Sequence, residues 1–206
     1  MKLINAVKKP ILVSLVLLLL CGFAYPAVLT GISQLLFPHQ ANGSLIQANG
    51  QTVGSELIGQ DFTDPRFMRC RPSAYKYNIY TAEDKANGDY AGVGSGSNNY
   101  GTSNPDLLAR VQEDIDVFLA EHPDLTVEDL PADLMTASGS GLDPHISPAS
   151  AAVQIPQLAA NTGLTETDLK QIVASNSDGK FMGIFGEERV NVLGVNLKIA
   201  EILKLI

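Results

Sequence analysis

The chain has 206 residues, 45% of them hydrophobic, with 14 basic and 22 acidic residues and a formal net charge of −8. This length suits one domain of ordinary size plus one extra segment. The acidic balance excludes nucleic acid as a partner, because phosphate recognition needs a basic surface.

From Ile11 to Phe37 run 27 residues without a charge, more than the ~20 a helix needs to cross a bilayer. Lys2, Lys8 and Lys9 precede the run, and no acidic residue appears before Glu56. The positive-inside rule keeps such an N-terminus in the cytoplasm. The sequence therefore divides into a cytoplasmic N-terminus (1–10), a transmembrane helix (11–37) and an extracytoplasmic domain (38–206). The expected location is the inner (plasma) membrane, crossed once, with the lipid bilayer as a partner. Gly22-Phe23-Ala24 loosely fits a signal-peptide cleavage pattern, and Cys21 is the residue a lipoprotein would use. The apolar run continues far past both, and Leu20 is large where a lipoprotein site has a small residue. An uncleaved anchor is the better reading.

Within the anchor, Pro26 frees a carbonyl near residue 22, where a kink is expected. Ala24, Ala27 and Gly31 form a stripe of small residues, either a docking face for another helix or ordinary spanning composition. A single helix cannot enclose an ion path, so any transport role is shared with other chains. Beyond the span, 11 basic residues face 22 acidic ones, a net −11. That charge is either plain solvation or a field that enriches cations. Cys21 and Cys70 lie in different solvents, so no internal disulfide is expected.

Ser44–Ala48 and Gln51–Val53 read as strands around Asn49-Gly50, a dipeptide suited to a two-residue hairpin turn. Phe62, Phe67 and Met68 look like core. Arg71, before Pro72, sits in extended backbone and can aim its fork at Asp143 or Asp133. Tyr75, Tyr77, Tyr80, Tyr90 and Tyr100 suit rim or half-buried positions. Residues 86–104, rich in Gly, Ser and Asn, read as a long surface loop.

A helix starts at Asn104 as N-cap with Pro105 at N1. Leu107, Leu108, Val111, Ile115, Phe118 and Leu119 form its apolar face, Glu113, Asp114 and Asp116 its solvated acidic face, and it stops near His122-Pro123. After a Gly-Ser loop, Ser147-Pro148 opens a second helix reaching Asn161, with a kink at Pro156. Thr165-x-x-Asp168 opens a third, with Leu169, Ile172 and Val173 inward. Lys180–Phe185 reads as a strand. A C-terminal helix presents Val192, Leu193, Leu197, Ala200, Ile202, Leu203 and Ile206. The expected fold is α+β: the membrane helix, then one exported domain of helices on a small sheet.

The loop Ala137–Pro148 carries the densest chemistry. Gly139 and Gly141 supply positive φ, while Ser138, Ser140 and Asp143 can bond neighbouring amides. Position 138 is serine where a nucleophile elbow wants glycine, no P-loop lysine follows Gly141, and Asp143 with His145 makes too few ligands for zinc. A rigid turn centred on Asp143 is the preferred reading. An exported serine hydrolase using Ser140, His145 and Asp143 is the alternative, disfavoured because triad members converge from separate elements.

The run Ala137-Ser138-Gly139-Ser140-Gly141-Leu142-Asp143-Pro144-His145-Ile146-Ser147-Pro148 closely resembles the signature of the KdpC family, the C subunit of the Kdp potassium-transporting ATPase. Gly54–Gln60, Arg71-Pro72-Ser73-Ala74 and Gly186–Leu193 agree with it in the same order. Thr102 stands where the family pattern has proline, and Gln157 where it usually has arginine. The resemblance implies a non-catalytic accessory subunit of a high-affinity, ATP-driven potassium import complex. Its partners would be the potassium-translocating and P-type ATP-hydrolysing subunits, whose assembly and stability it would support. The resemblance also implies a catalytic chaperone that raises ATP affinity, and nominates Gln154 for contact with ATP. Because topology puts the exported domain and ATP on opposite sides of the membrane, the partner role is preferred to a direct nucleotide pocket. No metal is expected. Arg71, Ser138, Ser140, Gly141, Asp143 and His145 are the expected structural or interface residues.

Overall fold

A computed structural model describes residues 2–88 and 92–206. The chain forms two compact units, Met1–Leu45 and Ile46–Ile206.

The first unit is helical. Helix α1 (Lys2–Leu19) passes through a π-helical turn (Leu20–Ala24) into α2 (Tyr25–Leu36), and a short α3 (Pro38–Ala41) follows. The irregularity falls where Pro26 predicts it. Proline has no N–H to return, and the helix adapts by widening for one turn, with Tyr25 N–H reaching back to the Leu20 carbonyl. Within the 30-residue stretch Val7–Leu36 the most apolar 18 residues reach a mean hydropathy of 2.5, and none of those is buried. At 1.5 Å per residue such a helix is ~45 Å long, ample for a hydrocarbon core of ~30 Å.

The second unit opens with a hairpin of β1 (Leu45–Ala48) and β2 (Gln51–Ser55). Asn49 and Gly50, at φ 50° and 76°, turn it, the positive pair a twisted hairpin favours. After an irregular stretch and the short helix α4 (Ala82–Asn87) comes α5 (Pro105–Glu121). Asn104 caps it by accepting a hydrogen bond from Asp106 N at 2.8 Å. Then follow α6 (Ala132–Met135), β3 (His145–Ile146), α7 (Pro148–Ala152), α8 (Ile155–Thr162), α9 (Glu166–Ser175), β4 (Ser177–Asp178), β5 (Arg189–Asn191) and α10 (Val192–Ile202). The last three strands form an antiparallel sheet in the order β3-β5-β4. Ile146 and Val190 pair across it and face a core built with Met68, Leu158, Leu169, Val195 and Ile199. A second cluster gathers Phe118, Leu134 and Met135, flanked by Val111, Ile115 and Val153. The architecture is α+β.

Several local expectations need correction. Residues 148–161 form two helices: Val153 N and Gln154 N bond to Ala149 and Ala151 carbonyls, and Pro156 lies in the first turn of α8. With no N–H to continue the first helix, the proline starts a new one. Lys180–Phe185 is a tight turn closed by a Phe181–Phe185 bridge, since Met182 and Gly183 both take positive φ; the partners of β5 are β3 and β4. Leu108 and Ile202 are exposed, as is Ile206, while Val195 and Ile199 complete the inner face of α10. Asp114 is half-buried and paired with Arg110 one turn earlier, so it is not part of a solvated face. Burial raises its carboxyl above the usual range, against the pull of Arg110. Tyr90 lies outside the described residues.

Candidate functional site

The Gly-Ser loop is a hub on which distant segments end. Ser138 is buried, and its Oγ accepts a bond from Gly141 N at 2.9 Å. Gly141 turns the chain at φ 65°, and a Cβ there would lie 2.6 Å from the Gly96 carbonyl oxygen. Gly139 takes no positive φ, contrary to expectation: one left-handed residue, locked by Ser138, completes the turn. Ser140 Oγ accepts from Leu142 N at 3.1 Å.

The loop's carbonyls are then capped from outside. Ser140 O accepts Gly96 N at 2.7 Å and Ser95 Oγ at 2.9 Å. Gly141 O accepts Ser73 Oγ at 2.5 Å, Leu142 O accepts Gly59 N at 2.9 Å, and Pro144 O accepts Val192 N at 3.0 Å. Arg71 donates to Thr136 O and Ala137 O at 3.3 and 3.4 Å. The stretch expected as a surface loop is thus, from Gly94 to Gly96, a strap against the hub, itself held by Asn78 through both Gly94 backbone groups.

Asp143 and Asp133 anchor the hub's charge. Asp143 accepts His145 N at 3.0 Å and pairs with Arg71 at 3.3 Å, one of the two pairings the sequence allows. Asp133, the other candidate, accepts Ser147 N, Ser147 Oγ and Ser150 Oγ at 2.8–3.0 Å. Burial works to raise both carboxyls, but hydrogen bonds overcome it, from His145 at one and from Ser147 and Ser150 at the other. Both are held below the usual range. Ser147 in turn caps α7, its Oγ accepting Ser150 N at 3.0 Å.

The triad of the disfavoured alternative does not assemble. His145 Nδ1 lies 3.6 Å from Asp143 Oδ1, and no hydrogen bond joins Ser140 to His145 among the described residues. The hub borders an open cleft of about 750 Å3 lined by Arg71, Asp133, Asp143 and His145 with Lys180, Glu187, Glu188 and Arg189. Both signs of charge are interspersed there. Among the described residues no three His, Cys, Asp or Glu side chains converge to hold a metal.

Gln154 lies buried at the start of α8. Its side chain is 3% exposed; its Oε1 accepts Arg69 N at 2.8 Å and its Nε2 donates to Arg69 O and Ser150 O at 3.3 and 3.1 Å. Asn196 does the same for the preceding residue, accepting Met68 N at 2.7 Å and donating to Met68 O at 2.8 Å. Two side-chain amides thus replace a neighbouring strand for Met68 and Arg69, satisfying backbone groups that burial would otherwise leave at a cost.

Sequence reasoning missed Ser73, Gly59 and the turn beside them. Lys76, Tyr77 and Asn78 are consecutive residues at φ 47°, 51° and 57°, each a conformation costing about 1–3 kcal/mol. Ser73 Oγ accepts Tyr75 N and Tyr77 N, both at 3.1 Å, and Tyr77 OH donates to Arg71 O at 2.6 Å. A Cβ on Gly59 would sit 2.5 Å from the Asp143 carbonyl oxygen. Gly59 and Ser73 belong to two of the motif blocks, which was the available signal; their contact with the loop was not visible.

A family profile described as "K+-transporting ATPase, c chain" matches residues 7–201. A Clostridium kluyveri protein described as "Potassium-transporting ATPase KdpC subunit" is 64% identical over 201 residues, covering 98% of this chain and 96% of that protein. One of the same description from Clostridioides difficile is 55% identical over 207 residues, covering 98% and 100%. A Bacillus cereus relative is 41% identical over 202 residues, covering 97% and 98%. The four blocks knotted together at the hub therefore lie within a match that spans almost the whole sequence, and the chain belongs to the KdpC family, the C subunits of potassium-transporting ATPases.

Proposed function

We propose that this chain is a non-catalytic accessory subunit that supports assembly and stability of an ATP-driven potassium import complex. Its N-terminal span anchors it in the membrane, with residues 1–10 cytoplasmic, 11–37 spanning and 38–206 outside. The partners are the potassium-translocating and P-type ATP-hydrolysing subunits. The observation that carries this reading is how the hub uses its polar groups: Ser138, Ser140, Asp143 and Ser73 bond backbone amides and carbonyls. Arg71, Ser138, Ser140, Gly141, Asp143 and His145 act by shaping the face beside the cleft. The chaperone effect on ATP affinity acts through contacts between subunits. Gln154 serves it as a backbone clamp, since each polar atom of its side-chain amide already has protein partners.

The test pairs topology with assembly. A cysteine at exposed Asp106 in an otherwise unchanged complex should react with a membrane-impermeant thiol reagent in intact cells. Labelling only after lysis would invert the orientation and revive direct ATP binding. Turnover of ester or phosphate substrates by the purified chain, lost on Ser140→Ala, would overturn the non-catalytic assignment.

A further inference from the structure

The turn that replaces the expected strand at 180–185 has a chemistry of its own. Phe181, Met182, Ile184 and Phe185 project from it at 71, 77, 75 and 63% exposure. Soluble surfaces scatter single apolar residues, but contiguous apolar clusters mark contact sites. The turn is pre-shaped: Phe181 N and Phe185 N exchange bonds with Phe185 O and Phe181 O at 2.8 and 3.0 Å, Gly183 N bonds Lys180 O, and Ile184 N bonds Phe181 O. Met182 and Gly183, at φ 54° and 74°, turn the tip.

We infer that this tip inserts shallowly into the lipid interface of the membrane that anchors the chain. The inference rests on the anchored reading above. Three features favour lipid over a protein groove. First, the four apolar side chains are each more than half exposed on one tight turn, a form that suits a deformable medium and requires no matching pocket. Second, four of the five N–H groups from Phe181 to Phe185 are bonded within the turn, as a segment entering an apolar phase requires. Third, those five residues carry no charge, and Lys180 stands immediately before them, where its ammonium can meet headgroup phosphates while the tip is submerged. The span ends at Leu36 and the second unit begins at Ile46 in the same chain.

The test uses the full chain in phosphatidylcholine–phosphatidylglycerol vesicles. Cys21→Ala removes the cysteine of the span, half-buried Cys70, whose thiol burial keeps protonated, is left in place, and Met182→Cys or Ile184→Cys carries an environment-sensitive fluorophore; Asp106→Cys is the aqueous control. Both tip labels should shift to the blue and lose more than about half their intensity to nitroxide placed just below the headgroups, the depth of ~5–10 Å expected of interfacial insertion. The control should respond only to aqueous iodide. Tip labels quenched by iodide and untouched by lipid nitroxide would overturn the inference. So would tip labels shielded from both quenchers only when the partner subunits are present, which would assign the tip to a protein groove. Flotation of the unlabelled chain is scored separately. A chain that fails to float refutes the anchor and the lipid contact together, whereas a floating chain with a wet tip refutes the tip alone.

Discussion

Asp143→Ala is the sharpest test of the hub. The carboxylate accepts His145 N at 3.0 Å and pairs with Arg71 at 3.3 Å, and the two side chains are 27 and 23% exposed. A hydrogen bond to a charged acceptor contributes about 1.5–3 kcal/mol. A partly exposed ion pair adds about 0.2–1 kcal/mol. Asp143→Ala removes both and should destabilise the second unit by about 2–4 kcal/mol. Asp143→Asn keeps an acceptor for His145 N but removes the charge, and should cost about 0.5–1.5 kcal/mol. For a unit of this size each kcal/mol moves the midpoint by about 2–4 °C, so the alanine variant should melt roughly 4–16 °C lower.

The full chain in detergent can be melted by circular dichroism while recovery of the assembled complex and its ATP turnover are measured in parallel. Turnover per assembled complex should hold while recovery falls with stability. An Arg71→Ala/Asp143→Ala cycle should show a coupling of about 0.5–1 kcal/mol, no larger, because Arg71 also serves Thr136 and Ala137. An alanine variant that melts within about 1 °C of the parent, assembles normally and yet fails in ATP turnover would refute the structural reading of the loop.

Ser73→Ala removes three bonds at once, to Gly141 O, Tyr75 N and Tyr77 N, and should cost about 1–3 kcal/mol in urea unfolding. Gln154→Ala should destabilise by a similar ~1–3 kcal/mol, because it strands Arg69 N; a change in ATP affinity at unchanged stability would contradict the clamp. Burial pushes the Cys70 thiol up to about 12, so alkylation at pH 8 should reach Cys70 only after denaturation. Asp133 and Asp143 both have folded pKa values below the ordinary 3.8. Their contribution is complete above that value and lost as pH falls through the folded values, so acid melts should decline below about pH 4, less steeply in Asp143→Asn.

What could be read from the sequence was whatever local chemistry decides. Asn104-Pro105, Ser147-Pro148 and Thr165-x-x-Asp168 start helices because each side-chain oxygen finds an amide two or three residues on. Asn49-Gly50 sets a hairpin for the same kind of reason, and Pro26 disturbs the span. What escaped was decided by distant partners. Nothing near Leu142 announces Gly59, and nothing near Pro144 announces Val192. Gln154 and Asn196 look like surface amides until the strandless backbone of Met68 and Arg69 is seen to need them. The apolar run after Lys180 resembled a strand by composition, but Gly183 folded it back on itself.

The run Ser138–His145 has the residue types of a hydrolase, and its polar groups bond the backbone around it. A nucleophile needs its oxygen directed at a base and at substrate, with its own bonds few and adjustable. Here Ser140 Oγ is oriented by Leu142 N and Ser138 Oγ, and Asp143 by His145 N. The same polar groups that could activate a reaction instead match a backbone that turns too tightly to match itself. The neighbouring left-handed turn at Lys76–Asn78 carries strain of about 1–3 kcal/mol per residue, which persists only if its surroundings over-determine it. Ser73 supplies two of the bonds that hold this turn and the one that caps Gly141. Turn and loop are therefore set by one hydroxyl, so a partner that engages the cleft beside Arg71 and Asp143 meets a surface whose shape is fixed before contact. Such preorganisation lowers the ordering cost of association, and it gives a physical role to four sequence blocks that meet at one loop.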